Sequence, residues 1–429
     1  DYKILVTDAL TGLRSLASES VHCVVTSIPY WGLRVYDVEP ITFSDGWHGH
    51  LGLEPTIDLF VAHIVEIFNE IKRVLRYDGT CWLNIGDCYG QQGKRSTPAD
   101  IESNKIRAIE RNYPTAAFAG TSKGWDRAAN TVGGNIKQKD LCGQPWACAF
   151  ALRASGWYLR SEIVWHKTNA LPESVRDRPS KAHETIFLLA KSPVYYYDRI
   201  RVQEPIKEST IDRNKRAVGK NKYSEGVPGL KAHGLHQPRK HAQENPKATR
   251  NRRSVWNISN KPYHGAHFAT FPLEIPQLAI LAGTSEKGCC NVCLAPWKRV
   301  LEAASDYKEH LGKSFHSHEN DLLHGMGQKK HEKFQSIIAD YKTIDWVPTC
   351  KCPRNDKPLA KPVVLDPFVG SGTSIIAALQ EGCIGIGIEL SSNYAVMAKE
   401  RIEAEVFKPR KKVKNSKSSK LARSLQMSL

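Results

Sequence analysis

The sequence predicts an α/β fold with a mostly parallel, twisted sheet, because apolar runs of strand length alternate with segments of helical spacing. The chain opens with a strand pattern at Lys3–Thr7, a helical pattern at Leu10–Leu16 and a second strand pattern at Val21–Thr26. It closes with a strand pattern at Val363–Leu365, which runs through a glycine turn into a helical pattern at Ser374–Glu381. This alternation favours a parallel sheet covered by helices on both faces.

The middle of the chain supplies the remaining elements and one long irregular stretch. The dipeptide Asp78-Gly79 is expected to turn the chain from a helix into the strand that follows. Residues 90–136 are polar and glycine-rich without a clear period, which predicts an insertion. We expect helices at Ile57–Leu75, Pro145–Ala154, Pro272–Leu281 and Asn393–Val406, and strands at Thr80–Ile85, Tyr158–Trp165, Glu184–Ala190 and Ile384–Ile388.

Composition limits the class of protein. No apolar run is long enough to span a bilayer and no signal-peptide pattern is present, so we expect a soluble intracellular protein with no membrane partner. The expected location is the cytoplasm or nucleoid of a bacterial or phage host, or the nucleus of a eukaryotic one. The eleven cysteines, several of them inside expected strands, are typical of reduced thiols rather than of a disulfide framework.

The net charge of +17 is concentrated in two segments. Residues 207–253 hold 13 Lys and Arg against 4 Asp and Glu, and residues 408–429 hold 8 Lys and Arg with no acidic residue. These segments carry the whole excess, so the rest of the chain is neutral. A neutral body with two basic segments favours a polyanionic partner. The alternative is a solvated loop and a disordered tail.

A loop typical of nucleotide cofactors follows the strand pattern that ends at residue 365. Asp366 stands at the carboxyl end of that strand, and Gly370 and Gly372 allow the backbone to approach a ligand closely before a helix begins. Glu389, one helix and one strand later, is placed to accept hydrogen bonds from a ribose diol. A dinucleotide fingerprint would have a third glycine where this chain has Ile375. A cofactor without pyrophosphate, such as S-adenosylmethionine, therefore fits better.

A second loop, Ser27-Ile28-Pro29-Tyr30, follows the strand pattern at Val21–Thr26. Ser27 Oγ and the next carbonyl would point into the crevice above a parallel sheet, while Pro29 fixes the backbone. Tyr30 offers a flat face to a planar ring. Two acceptors beside a stacking face suit a planar base with an exocyclic amine. An ordinary strand-to-loop turn would use the same residues, so this loop alone does not decide the function.

Together the two loops resemble the catalytic and cofactor motifs of the DNA amino-methyltransferases, in the circularly permuted group where the catalytic motif comes first. Further segments resemble motifs of that family: Asp8, Arg73–Arg76, Leu83–Asp87, Pro172–Pro179, His183–Leu189 and His267–Pro272. The resemblance covers most of residues 3–402 and implies a Rossmann-like methyltransferase fold with S-adenosylmethionine as cofactor. It implies cofactor contacts from Asp8, Phe271, Pro272, Asp366, Phe368, Gly370, Gly372, Thr373 and Glu389, and catalytic contacts from Ser27, Ile28, Pro29 and Tyr30.

The resemblance also implies the reaction. In that family a loop led by Ser goes mostly with cytosine N4 and a loop led by Asp mostly with adenine N6, so Ser27 favours cytosine N4. The target base would leave the duplex stack, and its amine would attack the methyl group directly. The chain has no Pro-Cys motif, which disfavours methylation at a cytosine ring carbon because that reaction needs a covalent thiolate adduct.

One residue departs from the family pattern, which usually has two prolines: Ile28 replaces the first of them. Because the acceptor at this position is a main-chain carbonyl, we expect activity to survive with a loop that is held less well. The alternatives are an adenine-N6 methyltransferase, a DNA-binding protein whose methyltransferase scaffold has lost catalysis, and an RNA methyltransferase.

The basic segment lies where permuted members of that family carry their target-recognition region. Its side chains suit phosphate anchoring and base-edge readout of double-stranded DNA. A homodimer and a companion restriction endonuclease are left open as partners. The expected DNA contacts are Arg213, Lys215, Arg216, Lys220, Arg239, Lys240, Arg250, Arg252 and Arg253.

Two cysteine pairs flank a later insertion. Cys290 and Cys293 precede the second pair, Cys350 and Cys352, and four thiolates would form a closed structural zinc site. Cys289 is left open as a substitute for Cys290. Thiols without metal are the alternative, because the second pair is more closely spaced than in the usual zinc ribbon.

These observations predict the following organisation of the chain. A catalytic half at 1–200, with an insertion at about 90–136, precedes a basic target-recognition region at 201–260, a cofactor-flanking segment at 261–282, a cysteine and histidine insertion at 283–360, a cofactor-binding half at 361–406 and a disordered basic tail at 407–429.

Overall fold

The computed structural model describes residues 1–32, 38–90, 135–207, 209, 249–260, 271–303, 341–353 and 359–407. Most of the expected insertion at 90–136 and of the basic tail lies outside these ranges. The chain divides into two compact units. The first comprises residues 1–195, 254–283 and 363–429, and the second comprises residues 196–253 and 284–362. No helix within the described ranges is long and apolar enough to cross a membrane.

The strands of both units follow the chain in this order. They are β1 (Tyr2–Val6), β2 (Val21–Ser27), β3 (Ile41–Thr42), β4 (His48–Gly49), β5 (Leu75–Ile85), β6 (Tyr158–His166), β7 (His183–Ala190), β8 (Glu204–Pro205), β9 (Thr249–Arg250), β10 (Val255–Asn257), β11 (Trp297–Ala303), β12 (Tyr341–Pro348), β13 (Val363–Asp366) and β14 (Ile384–Glu389).

An eight-stranded sheet with the order β1-β14-β13-β2-β5-β7-β6-β10 forms the first unit. The first five strands in this order, β1, β14, β13, β2 and β5, run parallel to one another. Strand β7 is antiparallel to both β5 and β6, and β10 is parallel to β6. The predicted mostly parallel α/β sheet is confirmed. The last two long strands, β13 and β14, are inserted between β1 and β2, which are the first two.

Helices cover both faces of this sheet. They are α1 (Ala9–Arg14), α2 (Ile57–Val74), α3 (Gln144–Ala154), α4 (Glu274–Gly283), α5 (Thr373–Gln380) and α6 (Ser392–Ile402), with a π-helical turn at Glu403–Phe407. Neighbouring residues of β2 identify the two faces. Val24 packs into the core that α1, α2 and α3 share, whereas Cys23 lies 3.8 Å (Sγ–O) from Ala279 in α4. Successive strand residues point to opposite faces, so α4 lies opposite α1–α3.

Helix α2 contributes the largest apolar face of the core. Its N-cap residue Thr56 accepts a hydrogen bond from the Leu59 amide at 3.3 Å, which satisfies one of the free donors at the helix start. Residues at helical spacing on one side of α2 are fully buried: Ile64, Ile67, Phe68 and Ile71. Burial of each such side chain stabilises the fold by about 1.5–3 kcal/mol.

The turn expected at Asp78-Gly79 is wrong, because both residues lie inside β5, which begins directly after α2. Val21 pairs with Leu75 and Cys23 pairs with Thr80, so β5 runs through more residues than β2 between the two pairings. The excess forms a bulge. An ion pair between Arg76 and Asp78 (Nε–Oδ1 2.9 Å) satisfies the buried charges there.

Short antiparallel pairs build the second unit: β8 with β9, and β11 with β12. Arg299 on β11 donates from Nε to Asp198 Oδ2 at 2.8 Å and lies 4.4 Å from the ring centroid of Trp346 on β12. Asp198 is buried, so removal of the Arg299 guanidinium would leave its carboxylate without this ion pair, whereas Arg299 also pairs with Glu286. Such losses typically destabilise a protein by about 3–5 kcal/mol.

Candidate active site

Most of the candidate residues line one cavity of about 790 Å³ in the first unit. It lies where β1, β2, β13 and β14 end, at the carboxyl edge where ligands bind in parallel sheets. Pro272, which is buried, and Gly372 are not among the lining residues. The candidates that line it are Asp8, Ser27, Ile28, Pro29, Tyr30, Phe271, Asp366, Phe368, Gly370, Thr373 and Glu389.

A hydrogen bond joins the two loops, although they are far apart in sequence. Thr26 Oγ1, next to the catalytic loop, donates to Asp366 Oδ1 at 2.7 Å. Asp366 also accepts from Ser374 Oγ at 2.5 Å and from the Phe368 amide at 3.0 Å, and it is 1% exposed. Burial raises the pKa of Asp366 to about 6, while these three donors oppose the rise. The carboxylate therefore aligns β2, β13 and the start of α5.

The Glu389 side chain holds the cofactor loop by accepting hydrogen bonds from backbone amides. Its Oε2 accepts from the Gly370 amide and its Oε1 from the Ser391 amide, both at 2.9 Å. Burial raises the pKa of Glu389, and the two amide donors lower it. Gly370 and Gly372 have φ values of 50° and 81°, in the left-handed region that favours glycine. The backbone conformation of this loop thus requires both glycines.

Arg401, which no sequence pattern predicted as a site residue, supports the cofactor loop from α6. Its Nη1 donates to Thr373 Oγ1 at 2.7 Å, to Ser371 Oγ at 2.9 Å and to the Ser371 carbonyl at 3.2 Å. Its Nε pairs with Glu405 at 2.7 Å. In the sequence, Arg401 and Glu405 have the spacing of an ordinary surface pair on a helix, so no signal distinguished this arginine.

At the start of α1, Asp8 is the N-cap residue. Its Oδ1 accepts from the Thr11 amide at 2.8 Å, and the residue is partly exposed at the cavity wall.

In the catalytic loop, Ser27 ends β2 and Ile28 turns into the core. Ile28 is 3% exposed and packs among the largest cluster of buried residues. Apolar burial therefore anchors the loop at the position where the family pattern has its first proline. Just beyond the loop, Trp31 is also held: its amide donates to Gln144 Oε1 at 3.0 Å and its Nε1 to the Glu54 carbonyl at 2.8 Å.

Tyr30 lies against the end of β5. A Cβ added at Gly86 would come within 2.7 Å of the Tyr30 ring, so glycine is required for this close approach. Tyr30 donates from its hydroxyl to Glu184 Oε2 at 2.9 Å. Burial, followed by the neighbouring Glu184 carboxylate, raises the pKa of Tyr30 well above its ordinary value. The phenol stays protonated, and its ring forms part of the cavity wall.

A polar network that the sequence analysis did not identify surrounds this tyrosine. Asn84 donates from Nδ2 to Glu184 Oε2 at 2.9 Å and to the Tyr30 hydroxyl at 3.1 Å. Ser27 Oγ lies 3.4 Å from the same Nδ2 atom. Lys167 pairs with Glu184 Oε1 at 2.5 Å. The register places Asn84 directly beside Ser27, and Glu184 on the next strand. The sequence signals were the asparagine within the apolar strand pattern of β5 and the two segments that resemble family motifs, Leu83–Asp87 and His183–Leu189.

Only the last three of the nine expected DNA contacts lie within the described residues. Arg213, Lys215, Arg216, Lys220, Arg239 and Lys240 lie outside the described residues. Within the second unit, Arg250 and Arg253 pair with Glu204 Oε1 at 2.7 and 3.1 Å, and Arg252 Nε donates to the Val202 carbonyl at 2.9 Å. These three guanidinium groups therefore also hold their own segment together.

The four expected metal ligands come together in the second unit. The sulfur atoms of Cys290, Cys293, Cys350 and Cys352 all lie within 4.8 Å of one another. Cys289 is fully buried and makes backbone hydrogen bonds to Ala360, apart from this cluster. Hydrogen bonds from backbone amides, first that of Cys293, lower the pKa of Cys290 to about 7. A hydrogen bond with the Cys293 thiol raises the pKa of Cys352 to about 12.

The family model and the curated relatives agree on one family. The N6/N4 methyltransferase family model, described as DNA methylase, matches residues 21–290. The type II methyltransferase M.SmaI of Serratia marcescens is 32% identical over 400 residues, which cover 93% of this chain and 90% of that protein. M.Cfr9I of Citrobacter freundii is 42% identical over 277 residues, which cover 65% of this chain and 71% of that protein. Among solved structures, PvuII DNA methyltransferase (cytosine-N4-specific) has a TM-score of 0.43 and 14% identity over 95% of this chain and 92% of that chain.

Proposed function

Since the chain belongs to the N6/N4 DNA methylase family, we propose that it transfers a methyl group from S-adenosylmethionine to cytosine N4 in double-stranded DNA. The observation that carries this proposal is the hydrogen bond from Thr26 to Asp366, because it holds the catalytic loop and the cofactor loop at one cavity. The catalytic motif precedes the cofactor motif along the chain, which is the order of the permuted group.

The cofactor side of the cavity suits a nucleoside. Each Glu389 oxygen already accepts one backbone donor and keeps a lone pair for a ribose hydroxyl. Phe368 and Phe271 line the same cavity and offer apolar surface to an adenine ring. When bound, S-adenosylmethionine supplies a methyl group on a positively charged sulfur. In our proposal Asp366 stays a positioning residue, because its carboxylate is enclosed by protein donors.

The base side suits a planar ring with an amino group. We assign Tyr30 to stacking against the base, and Ser27 Oγ and the Ile28 carbonyl to accepting its amino hydrogens. A base reaches this cavity only after it leaves the duplex. The loop then holds the amine nitrogen, with its lone pair free, toward the cofactor side, and the rate gain comes mainly from orientation.

Cytosine N4 is favoured over adenine N6 by one residue, Ser27, because a loop led by Ser goes mostly with cytosine N4 in this family. Ile28 does not favour the alternative of a scaffold that has lost catalysis, because its side chain is buried and anchors the loop. We assign DNA binding to the basic segment, including the described Arg250, Arg252 and Arg253. A companion endonuclease with the same target sequence would make the chain the protective partner of a restriction–modification pair.

Methylation of mixed-sequence duplex DNA with labelled S-adenosylmethionine, followed by mass analysis of the nucleosides, tests the proposal. We expect N4-methyldeoxycytidine. N6-methyldeoxyadenosine would replace cytosine by adenine as the target. DNA retention without any methylated nucleoside would instead support the scaffold alternative. Competition by RNA stronger than by duplex DNA would favour the RNA alternative.

We also propose that the four clustered cysteines hold a structural zinc ion. A tetrahedral site with Zn–S bonds of about 2.3 Å separates its sulfur atoms by about 3.8 Å, which the four side chains can reach with small rotations. The donor set therefore fits zinc, with Cys290 rather than Cys289 as the first ligand. The ion would join the segment before β11 to the segment after β12.

Metal analysis of the purified protein tests the zinc site. We expect about one zinc per chain, lost in Cys352→Ala and kept in the matched control Cys289→Ala. The wild-type site should also lose stability on chelation, whereas Cys352→Ala should not respond. Equal metal content in the two variants would contradict the assignment.

A further inference from the structure

We propose that Asn84 is a further substrate-contacting residue, whose side-chain carbonyl accepts a hydrogen bond from the amino group of the extruded base. Glu184 and Lys167 act as positioning residues that fix its orientation. This inference rests on the proposed function, and it adds an acceptor to the two that the catalytic loop supplies.

The first observation is an acceptor without a partner. Asn84 is 4% exposed and lines the cavity, and its Oδ1 has no hydrogen-bond partner among the described residues. Buried polar atoms are nearly always satisfied, so an enclosed acceptor without a partner, on a residue that lines the cavity, indicates a ligand that supplies a donor. The amide nitrogen of the same side chain, by contrast, has three acceptors around it.

The second observation is that the amide cannot turn around. Its Nδ2 lies 2.9 Å from Glu184 Oε2, and rotation of the amide would place Oδ1 against that carboxylate oxygen. Two acceptors at this distance repel each other. Lys167 pairs with the other carboxylate oxygen, which keeps Glu184 in place. The nitrogen must therefore face Glu184, and Oδ1 is left for the ligand.

The chemistry of the bases identifies the donor. Along the edge of cytosine that carries N4, N3 and O2 are acceptors and the amine is the one donor. Adenine likewise donates from N6 and accepts at N1. An acceptor fixed by the protein can therefore pair with the amino group and repels a carbonyl oxygen at the same position. Ser27 and Asn84 are neighbours across β2 and β5, so their two acceptors can share one amino hydrogen while the Ile28 carbonyl accepts the other.

This arrangement has a functional consequence. Acceptors for both hydrogens direct the nitrogen lone pair away from the β2–β5 edge. Asn84 would also distinguish cytosine from uracil or thymine, since these bases have a carbonyl oxygen in place of the amine. Its role is thus recognition as well as orientation.

Variants that remove or exchange the amide of Asn84 and the carboxylate of Glu184 test the proposal. Asn84→Ala removes the acceptor and should lower kcat by about 100-fold. Asn84→Asp sets a carboxylate against Glu184 and should be similarly impaired. The double variant Asn84→Asp/Glu184→Gln restores one amide and one carboxylate, so we expect kcat within about tenfold of the wild type. The exposed Asn257→Ala is the matched control and should leave kcat unchanged.

A binding measurement makes the test independent of methyl transfer. Duplexes with a mismatched cytosine or a mismatched uracil present an easily extruded base. Wild type should bind the cytosine duplex about tenfold more tightly than the uracil duplex, and Asn84→Ala should lose this preference. Affinity for S-adenosylmethionine and the midpoint of thermal unfolding should stay near wild-type values in Asn84→Ala.

Two different failures can be told apart. If the wild type methylates DNA and Asn84→Ala keeps its kcat and its cytosine preference, the role of Asn84 is overturned while the proposed function stands. If the wild type shows the preference and Asn84→Ala loses it, but no methylated nucleoside forms, the proposed function fails and the base contact stands. A double variant no better than Asn84→Asp would overturn the positioning role of Glu184.

Discussion

The cofactor loop and the catalytic loop lie on adjacent strands, yet their polar groups are used differently. Asp366 accepts three donors from the protein, and each oxygen of Glu389 accepts a backbone amide. On the catalytic side, Asn84 Oδ1 has no partner within the described part of the chain. In our proposal the cofactor side is therefore preorganised by the protein itself, whereas the base side keeps an acceptor for its ligand. Substitutions on the two sides should separate cofactor affinity from turnover.

The largest effect should come from Asp366→Ala, which removes the shared acceptor of Thr26, Ser374 and the Phe368 amide. Buried donors left without a partner cost about 1–3 kcal/mol each, so for three donors we expect a loss of at least about 3 kcal/mol in the free energy of unfolding. Cofactor affinity should fall by about 100-fold or more. Urea denaturation and calorimetric titration measure the two effects. The exposed Asp58→Ala is the control, and equal behaviour of the two variants would refute the shared-acceptor role.

Asp366 should also make the free energy of unfolding depend on pH. Its folded-state pKa of about 6 exceeds the ordinary 3.8, because burial disfavours the charge. Between about pH 4 and 6 the folded state binds the proton more readily than the unfolded state, so the contribution of this group falls as pH rises through that window. The change is up to about 3 kcal/mol, from about 1.4 kcal/mol per pKa unit. Urea denaturation at several pH values should show this component in wild type and not in Asp366→Asn.

A somewhat smaller effect is expected from Ser27→Ala, on the other side of the cavity. Loss of one acceptor for the amino group should lower kcat by about 100-fold, or about 2.7 kcal/mol of barrier, with little change in affinity for S-adenosylmethionine. Steady-state kinetics together with calorimetric titration separate the two quantities. Full turnover in this variant would remove Ser27 from the catalytic assignment.

The smallest effect should come from Arg401→Met, because Arg401 acts on the cofactor loop from behind. We expect cofactor affinity to fall by about tenfold, equivalent to about 1.4 kcal/mol, through loss of the hydrogen bonds to Ser371 and Thr373. Single-turnover kcat at saturating cofactor should stay near the wild-type value. Arg14→Met, at a surface arginine with a 58% exposed side chain, is the control and should change neither quantity.

The sheet could be predicted from sequence because its signals are local. Apolar runs and helical spacing identified the long strands and helices, and the resemblance brought the two loops together. The bulge in β5 could not be predicted, since it depends on the register between β2 and β5 rather than on either strand alone. The Asp78-Gly79 pair has the composition of a turn, but pairing with β2 overrides that preference.

Side chains that act on the site across strands were the harder part. Asn84 and Glu184 meet because β5 and β7 are neighbours, and Arg401 reaches the cofactor loop because α6 packs behind it. None of these partners is close in sequence, so composition and spacing carry no record of them. Cys290 could not be distinguished from Cys289 for the same reason, as only the fold separates a clustered sulfur from a buried one.

The strand order has a consequence for how the protein is made. Translation proceeds from the amino end, so β1 and β2 leave the ribosome long before β13 and β14, which fill the space between them. Until then β1 lacks its only described strand partner and β2 has one unpaired edge. Exposed edges of this kind template association with other chains. We therefore expect nascent chains that end before residue 363 to depend on chaperones, and the cofactor loop to complete the sheet as the last step of folding.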